Sequence, residues 1–182
     1  MGLLVPNGAG CGTRHALLSH QHGTNTNSFS GSDAGSDIVN AMAKYYASHG
    51  YVVVIPDYLG YGDSASLGYH PYLLAETNAA TVIDAMRAAR NWVAQNGVAQ
   101  GVALNSQVFL DGTSEGGYVT MATQRTMERD LASEFTLTAV VPTSGPYDLG
   151  TTMLTFLQTA DATHNSETTP ATMILVLSLI HI

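Results

Sequence analysis

The sequence predicts an α/β fold in which helices cover both faces of a mostly parallel β-sheet. Along the 182 residues, short apolar segments of strand character alternate with longer segments whose apolar residues recur at helical spacing. The segment YVVVIP, residues 51–56, is a continuous β-branched run, which is typical of a parallel strand buried on both faces. No linker interrupts the alternation, so we expect a single core.

The first part of the chain predicts three strands and one helix. The strand-like segments are residues 2–6, 15–23 and 51–56. Between them, DIVNAMAKYYASHG places Ile38, Met42 and Tyr45 on one helical face, and Gly50 ends the helix. Residues 57–72 are rich in turn-forming residues and predict a loop.

The second part begins with a long helix. Its apolar residues keep the three-and-four spacing of a core-facing helix until Gly97, and they are Ala79, Val82, Ile83, Met86, Ala89 and Val93. A strand at 106–112, a helix at about 115–131 and a strand at 136–145 follow. Strands that alternate with helices in this way predict a parallel sheet.

The C-terminal part of the chain differs from the rest. Residues 1–150 are interpreted as a partial α/β core and residues 151–176 as a lid or connecting segment. The last residues, 177–182, read LSLIHI and resemble the translation of an adapter used in sequencing libraries, although a genuine buried strand or helix end is the alternative. We expect a truncated open reading frame that lacks the C-terminal strands of the sheet.

Composition limits the possible partners. The formal net charge is −8 and Lys and Arg form no cluster, which argues against nucleic acid and anionic membranes as partners. Cys11 is the only cysteine, so the chain has neither an internal disulfide nor a Cys-rich metal site. The apolar C-terminal run is too short to span a bilayer. We expect no cofactor, and composition indicates neither the compartment nor the oligomeric state.

The stretch VFLDGTSEGGYVTM, residues 108–121, contains the pattern Gly-x-Ser-x-Gly from Gly112 to Gly116. In this pattern the serine lies on a sharp, strained turn between a strand and a helix, and the glycines let the two elements pass closely. A strand-like segment precedes the pattern here and a helix-like segment follows it. Ser114 is therefore the predicted nucleophile.

Two backbone N–H groups are predicted to form an oxyanion hole beside Ser114. The residue after the nucleophile, Glu115, contributes one N–H group, and its side chain is expected to point away at the start of the helix, where a carboxylate is favoured. The second donor is expected from the loop after an earlier strand, where His22 and Gly23 precede Thr24. An ordinary β-turn with a structural His22 is the alternative.

Five segments in order, SHQHGT, YVVVIPDYLGYGDS, HPYL, FLDGTSEGG and SGPYDL, resemble the α/β-hydrolase superfamily. The likeness is to its bacterial lipase/esterase branch, related to secretory lipases and prolyl-oligopeptidase-like hydrolases. The resemblance implies a Ser-His-Asp hydrolase of carboxylic esters with Ser114 as nucleophile, and secretion would fit it. Thr113 and Glu115 depart from the motif GYSQGG that is common in that branch.

The resemblance also implies a triad acid and histidine that follow the serine in the chain. Only one convincing strand follows Ser114, so we expect both groups to be lost by truncation and the fragment to be inactive. Asp148 follows that strand and is either the acid or part of the region below the lid. A metal site at His20 and His22 is less favoured than a structural role, because no acidic partner completes it, and no metal is predicted.

The loop after strand 51–56 is expected to border the substrate pocket, because ligands bind at the carboxyl edge of such sheets. Its candidate contact residues are Tyr58, Tyr61 and His70. The predicted function is hydrolysis of a small-molecule ester through an acyl-enzyme on Ser114. The alternatives are a serine peptidase or acyltransferase on the same fold, and a binding module without catalysis.

Overall fold

Nine elements follow the predicted alternation in the described residues. The strands are β1 (Gly2–Leu4), β2 (Arg14–Gln21), β3 (Tyr51–Ile55), β4 (Ala103–Thr113) and β5 (Leu137–Thr143). The helices are α1 (Asp37–Ser48), α2 (Ala75–Gln100) and α3 (Glu115–Asp130), with a 3-10 helix at Gly62–Leu67 in the predicted loop. The strands form one sheet in the order β1-β3-β2-β4-β5.

The computed structural model describes residues 1–7, 12–25, 37–151 and 155. The chain divides into two units, Met1–Gly145 and Pro146–Ile182, and the nine elements all lie in the first unit. Apart from residues 151 and 155, the predicted lid at 151–176 and the adapter-like residues 177–182 lie outside the described residues.

The sheet is mostly parallel, which confirms the predicted fold class. Only β1 runs antiparallel to its neighbour β3, whereas β3, β2, β4 and β5 run parallel to one another. On β3, Val52 and Val54 pack with α2 and α3 on one face of the sheet. Val53 and Ile55 pack with α1 on the other face. The continuous apolar run is therefore buried on both sides, as expected for an inner strand between two layers of helix.

The helix α1 forms where predicted but packs through a different face. Ala43 and Ala47 are buried against the sheet, whereas Met42 and Tyr45 are 37% and 56% exposed. Two alanines let the helix backbone approach the strands closely, and Tyr46 fills the space beside them. The helical spacing predicts a packing face that includes Met42 and Tyr45. Spacing alone cannot show that these two side chains are exposed, because apolar side chains are also common on protein surfaces.

Helix α2 extends beyond its predicted end at Gly97. It continues to Gln100, and Gly101 ends it in the left-handed conformation at φ 68°, with its N–H group bonded to the carbonyls of Gly97 and Val98. Gly97 is needed for packing instead, because a Cβ atom there would collide with the backbone of Val102, where the chain turns back into β4.

The register of the parallel strands brings the predicted site residues to one edge of the sheet. Gln21 at the end of β2 is opposite Gly112 of β4, and Thr113 is opposite Thr143 of β5. The loop after β2 and the turn after β4 therefore begin side by side at the carboxyl ends of the strands, where ligands bind in α/β sheets. In the part of the chain that the structure describes, no helix is long and apolar enough to cross a membrane.

Candidate active site

Ser114 occupies the turn between β4 and α3 and has an uncommon backbone conformation. Its φ is 61° and its ψ is −123°, and the residue is exposed. Such a conformation is strained for a residue with a Cβ atom and persists only where the surrounding structure enforces it. The Ser114 N–H group donates to the carbonyl of Thr143 at 2.9 Å, which fixes the turn against the end of β5. The serine side chain is thereby held at the surface by a rigid support.

The glycines of the motif allow three backbones to meet below this turn. A Cβ atom at Gly112 would lie 2.6 Å from the carbonyl carbon of Gly116. A Cβ atom at Gly116 would lie 2.8 Å from both the Gln21 carbonyl carbon and the His22 oxygen. These separations are below normal van der Waals contact, so no larger residue fits without movement of the backbone.

The loop after β2 lies directly beside the serine. The Cβ position of Gly23 is 3.7 Å from the Ser114 Cβ atom and 3.3 Å from the Thr113 oxygen. Next to it, the Thr24 hydroxyl and the Tyr72 hydroxyl are 2.6 Å apart and share a hydrogen bond. The structure therefore brings together both segments from which oxyanion donors are predicted.

His22 supports this loop from the interior. Its Nδ1–H group donates to the Gly23 carbonyl at 2.8 Å, and the Tyr58 hydroxyl donates to the His22 carbonyl at 2.8 Å. The rings of His22 and Tyr58 are stacked with centroids 4.1 Å apart. Burial lowers the pKa of His22, so its imidazole is neutral at physiological pH.

Glu115 lies at the start of α3, as the sequence predicts, and its side chain enters the interior. The residue is fully buried, and its Oε1 atom lies 2.7 Å from Nε2 of His70. Nδ1 of the same ring lies 2.7 Å from the Leu59 carbonyl oxygen. The sequence offered no local signal for this pair, because its members are 45 positions apart and come from different elements.

The predicted pocket residues fall into different places. A cavity of about 320 Å³ is lined by Tyr61 and His70 together with Asn25, Gly60, Ala65, Gly68 and Tyr69. Tyr58 is fully buried and its ring stacks on the His70 ring, so it supports the wall of the cavity and does not line it. Asp148 belongs to the second unit, where its Oδ1 atom accepts a hydrogen bond from the Thr151 N–H group at 3.0 Å.

Comparison with known proteins identifies the family. Residues 38–172 match the model of the prolyl oligopeptidase family. The chain belongs to the prolyl oligopeptidase family. This confirms the resemblance to the α/β hydrolases, and it makes the protein a member of a hydrolase family. No curated protein matches the sequence.

Solved structures of hydrolases share the fold. The rice cell wall degrading esterase LipA from Xanthomonas oryzae is 41% identical over 84% of this chain, with a TM-score of 0.71. Its ligand-bound form is 40% identical, with a TM-score of 0.69. A Legionella pneumophila protein designated a hydrolase is 30% identical over 79% of the chain, with a TM-score of 0.68. The chain spans 39% of the length of LipA and 37% of the Legionella protein.

His20 and His22, the two residues considered as metal ligands, have separate hydrogen-bond partners in this protein. Nδ1 of His20 lies 2.9 Å from Oδ2 of Asp111, an acidic partner that the sequence pattern did not indicate. The Tyr46 hydroxyl donates to the same oxygen at 2.8 Å. Within the described residues, no group of three His, Cys, Asp or Glu side chains could hold a metal ion. The adjacent ends of β2 and β4 could have suggested the His20–Asp111 contact, since the two residues are register partners.

Proposed function

We propose that this protein is a serine hydrolase that cleaves carboxylic esters through an acyl-enzyme on Ser114. The observation that carries the proposal is the exposed serine at φ 61° on the turn between β4 and α3, with the Gly23 loop beside it. The N–H groups of Glu115 and Thr24 are assigned to the oxyanion hole. The name of LipA, an esterase, supports an ester as the substrate.

In the proposed reaction, the Ser114 oxygen attacks the ester carbonyl carbon while a general base removes the hydroxyl proton. The carbonyl electrons move onto oxygen, and the two backbone N–H groups stabilise that negative charge. When the C–O bond breaks, the alcohol leaves with the proton returned by the base. Water then hydrolyses the acyl-enzyme by the same sequence of steps and restores Ser114.

The base and its acid partner are assigned to residues outside those that the structure describes. His22 precedes the Gly23 loop and His70 contacts Glu115 through Nε2, yet each ring directs Nδ1 at a backbone carbonyl. In residues 1–7, 12–25 and 37–151 no histidine hydrogen bonds to the Ser114 hydroxyl. The resemblance implies that both groups follow Ser114 in the chain.

Labelling with a fluorophosphonate probe tests the nucleophile. We expect the intact wild-type enzyme to be labelled on Ser114 and its Ser114→Ala variant to be unlabelled, with kcat reduced by about 10⁴-fold or more. Ser144→Ala is the matched control, because Ser144 is also exposed and also has a positive φ, 53°. Equal labelling of wild type and Ser114→Ala would overturn the assignment, and no labelling of either would favour a binding module without catalysis.

The family name favours a second candidate, a serine peptidase, in which the leaving group is an amine. The same nucleophile and oxyanion hole serve both reactions. Rates on short p-nitrophenyl esters are to be compared with rates on prolyl amides of the same acyl group. A higher kcat/KM on the amides would assign the peptidase.

A further inference from the structure

We infer that Glu115 and His70 share one buried proton, and that this pair of zero net charge positions the oxyanion hole. This inference rests on the proposed function of Ser114. In the proposed reaction neither side chain contacts the reacting atoms, and both side chains act by positioning. Glu115 directly follows Ser114 and is the first residue of α3. Its contact with His70 connects the start of α3 to the loop between β3 and α2.

The hydrogen-bond partners of His70 determine how many protons the pair holds. The Leu59 carbonyl can only accept, so the Nδ1 atom that lies 2.7 Å from it carries a hydrogen. Nε2 lies 2.7 Å from Oε1 of Glu115, and a contact of this length between two lone pairs would be repulsive. One further proton must therefore lie between Nε2 and Oε1. It makes either an imidazolium with a carboxylate or an imidazole with a carboxylic acid, and both have zero net charge.

Burial makes this proton necessary. Glu115 is fully buried, and its Oε2 atom has no hydrogen-bond partner in the described residues. An isolated carboxylate in such a place would be strongly disfavoured, because burial removes it from bulk solvent and no second donor among the described residues stabilises it. It would also place a negative charge one residue from Ser114, where the reaction develops negative charge on the oxyanion. The shared proton removes this repulsion.

The pair also connects the two predicted oxyanion donors through packed rings. His70 stacks on Tyr58 with centroids 5.6 Å apart and an interplanar angle of 19°. Tyr58 in turn stacks on His22, and its hydroxyl holds the His22 carbonyl at 2.8 Å. Gly23 follows His22 and lies against Ser114. A path of direct contacts therefore runs from Glu115 through the interior to the loop that carries Thr24.

Five other titratable groups lie near the pair. These groups are His22, Asp57, Tyr58, Tyr61 and Tyr72. Burial lowers the pKa of His22, and it raises the pKa of Tyr61 to about 12 and those of Tyr58 and Tyr72 above their ordinary value. Asp57 is paired with the N-terminal amino group at 2.6 Å. His22 and these three tyrosines are therefore uncharged at neutral pH, and they add no charge beside the pair.

Three variants of the intact enzyme test the inference on a p-nitrophenyl ester: Glu115→Gln, His70→Ala and the double variant. His70→Ala leaves the buried carboxylate without its partner, so we expect kcat to fall by about 10- to 100-fold with little change in KM. In the double variant the amide carries no charge, so we expect kcat to recover to within about threefold of Glu115→Gln.

His49→Ala is the matched control, since His49 is an exposed histidine at the end of α1 that bonds only local groups. A double variant no faster than His70→Ala would overturn the inference and would leave the pair with a packing role only. If the wild type neither labels nor turns over esters, the proposed function fails, and ¹⁵N NMR of the His70 ring still decides the proton. A protonated Nδ1 with a proton shared at Nε2 supports the pair, and an unprotonated Nδ1 refutes it.

Discussion

A methyl group at Gly116 should disrupt the predicted oxyanion hole more than it disrupts the fold. In Gly116→Ala the new Cβ atom would lie 2.8 Å from the His22 oxygen and closer still to the Gln21 oxygen. Ordinary contacts begin at 3.4 Å, so the first separation alone must increase by about 0.6 Å. Both obstructing atoms belong to backbone, which cannot rotate away as a side chain can.

The expected magnitudes follow from this displacement. Overpacking of a well-ordered interior costs about 1–3 kcal/mol, which corresponds to a decrease in Tm of about 2–4 °C per kcal/mol for a chain of this size. The atoms that must move lie next to Gly23 and Thr24, so the distance between the two predicted donors changes as well. Misplacement on the order of 1 Å reduces catalysis by about 100-fold, and we therefore expect kcat/KM to fall by about 10- to 100-fold.

Differential scanning fluorimetry and p-nitrophenyl ester kinetics measure the two effects in the same preparation. Gly150→Ala is the control, because the nearest atom to its Cβ position, Oδ1 of Asp148, is 3.9 Å away. The control should stay within about 0.5 kcal/mol of wild type. If Gly116→Ala matches Gly150→Ala in Tm and in kcat/KM, the close approach of α3 to β2 is not required and the reasoning is refuted.

Two further predictions concern charges away from Ser114. Although burial opposes it, hydrogen bonds from His20 and Tyr46 hold the pKa of Asp111 below its ordinary value. The ionised Asp111 side chain therefore stabilises the folded protein fully above the pKa of about 3.9 that this group has in the unfolded chain. This contribution is lost as the pH falls through the lower pKa of Asp111 in the folded protein. Urea unfolding should show Asp111→Asn less stable than wild type at neutral pH and the gap narrowing below about pH 4, whereas a constant gap would contradict the shift. Arg87→Ala removes two hydrogen bonds to Glu134 between exposed side chains, and it should cost about 0.2–1 kcal/mol at low salt and less at high salt. A loss that does not depend on salt would show that packing, not charge, is responsible.

The elements that the sequence predicted well are those whose signal is local. The β-branched run of β3, the helical spacing of α2 and the strand-serine-helix motif each lie within one continuous segment. The end of α2 was not predictable in the same way. Glycine is the residue expected at a helix end, and this makes Gly97 the natural choice from sequence. The reason for Gly97 is instead its contact with Val102, which lies in the segment where the chain has already turned back toward β4. The pattern identifies a glycine and not the reason for it.

Contacts between elements were beyond the reach of these patterns. His20 and Asp111 are 91 positions apart and meet only because β2 and β4 are neighbours in the sheet. Strand order depends on how the helices cover the sheet, and the residues of a single strand do not encode it. The same holds for Glu115, because the preference of carboxylates for helix N-termini predicts its place at the start of α3 and does not indicate that its side chain is buried. Its burial follows from the loop that packs over α3, which no local preference specifies.

Glu115 connects the proposed oxyanion hole to the loop between β3 and α2. Its backbone is assigned to the oxyanion hole, so α3 must begin close to Ser114, and Gly116 then lies against the end of β2. The side chain of Glu115 is consequently directed into the interior, where a carboxylate requires a partner. His70 meets this requirement because the Leu59 carbonyl fixes its ring. Gly60, at φ 91°, allows the close approach of the chain, since a Cβ atom on Gly60 would lie 2.8 Å from the His70 Cα atom. The conformation of the loop between β3 and α2 is therefore part of the proposed catalytic apparatus, although none of its residues is assigned a chemical step.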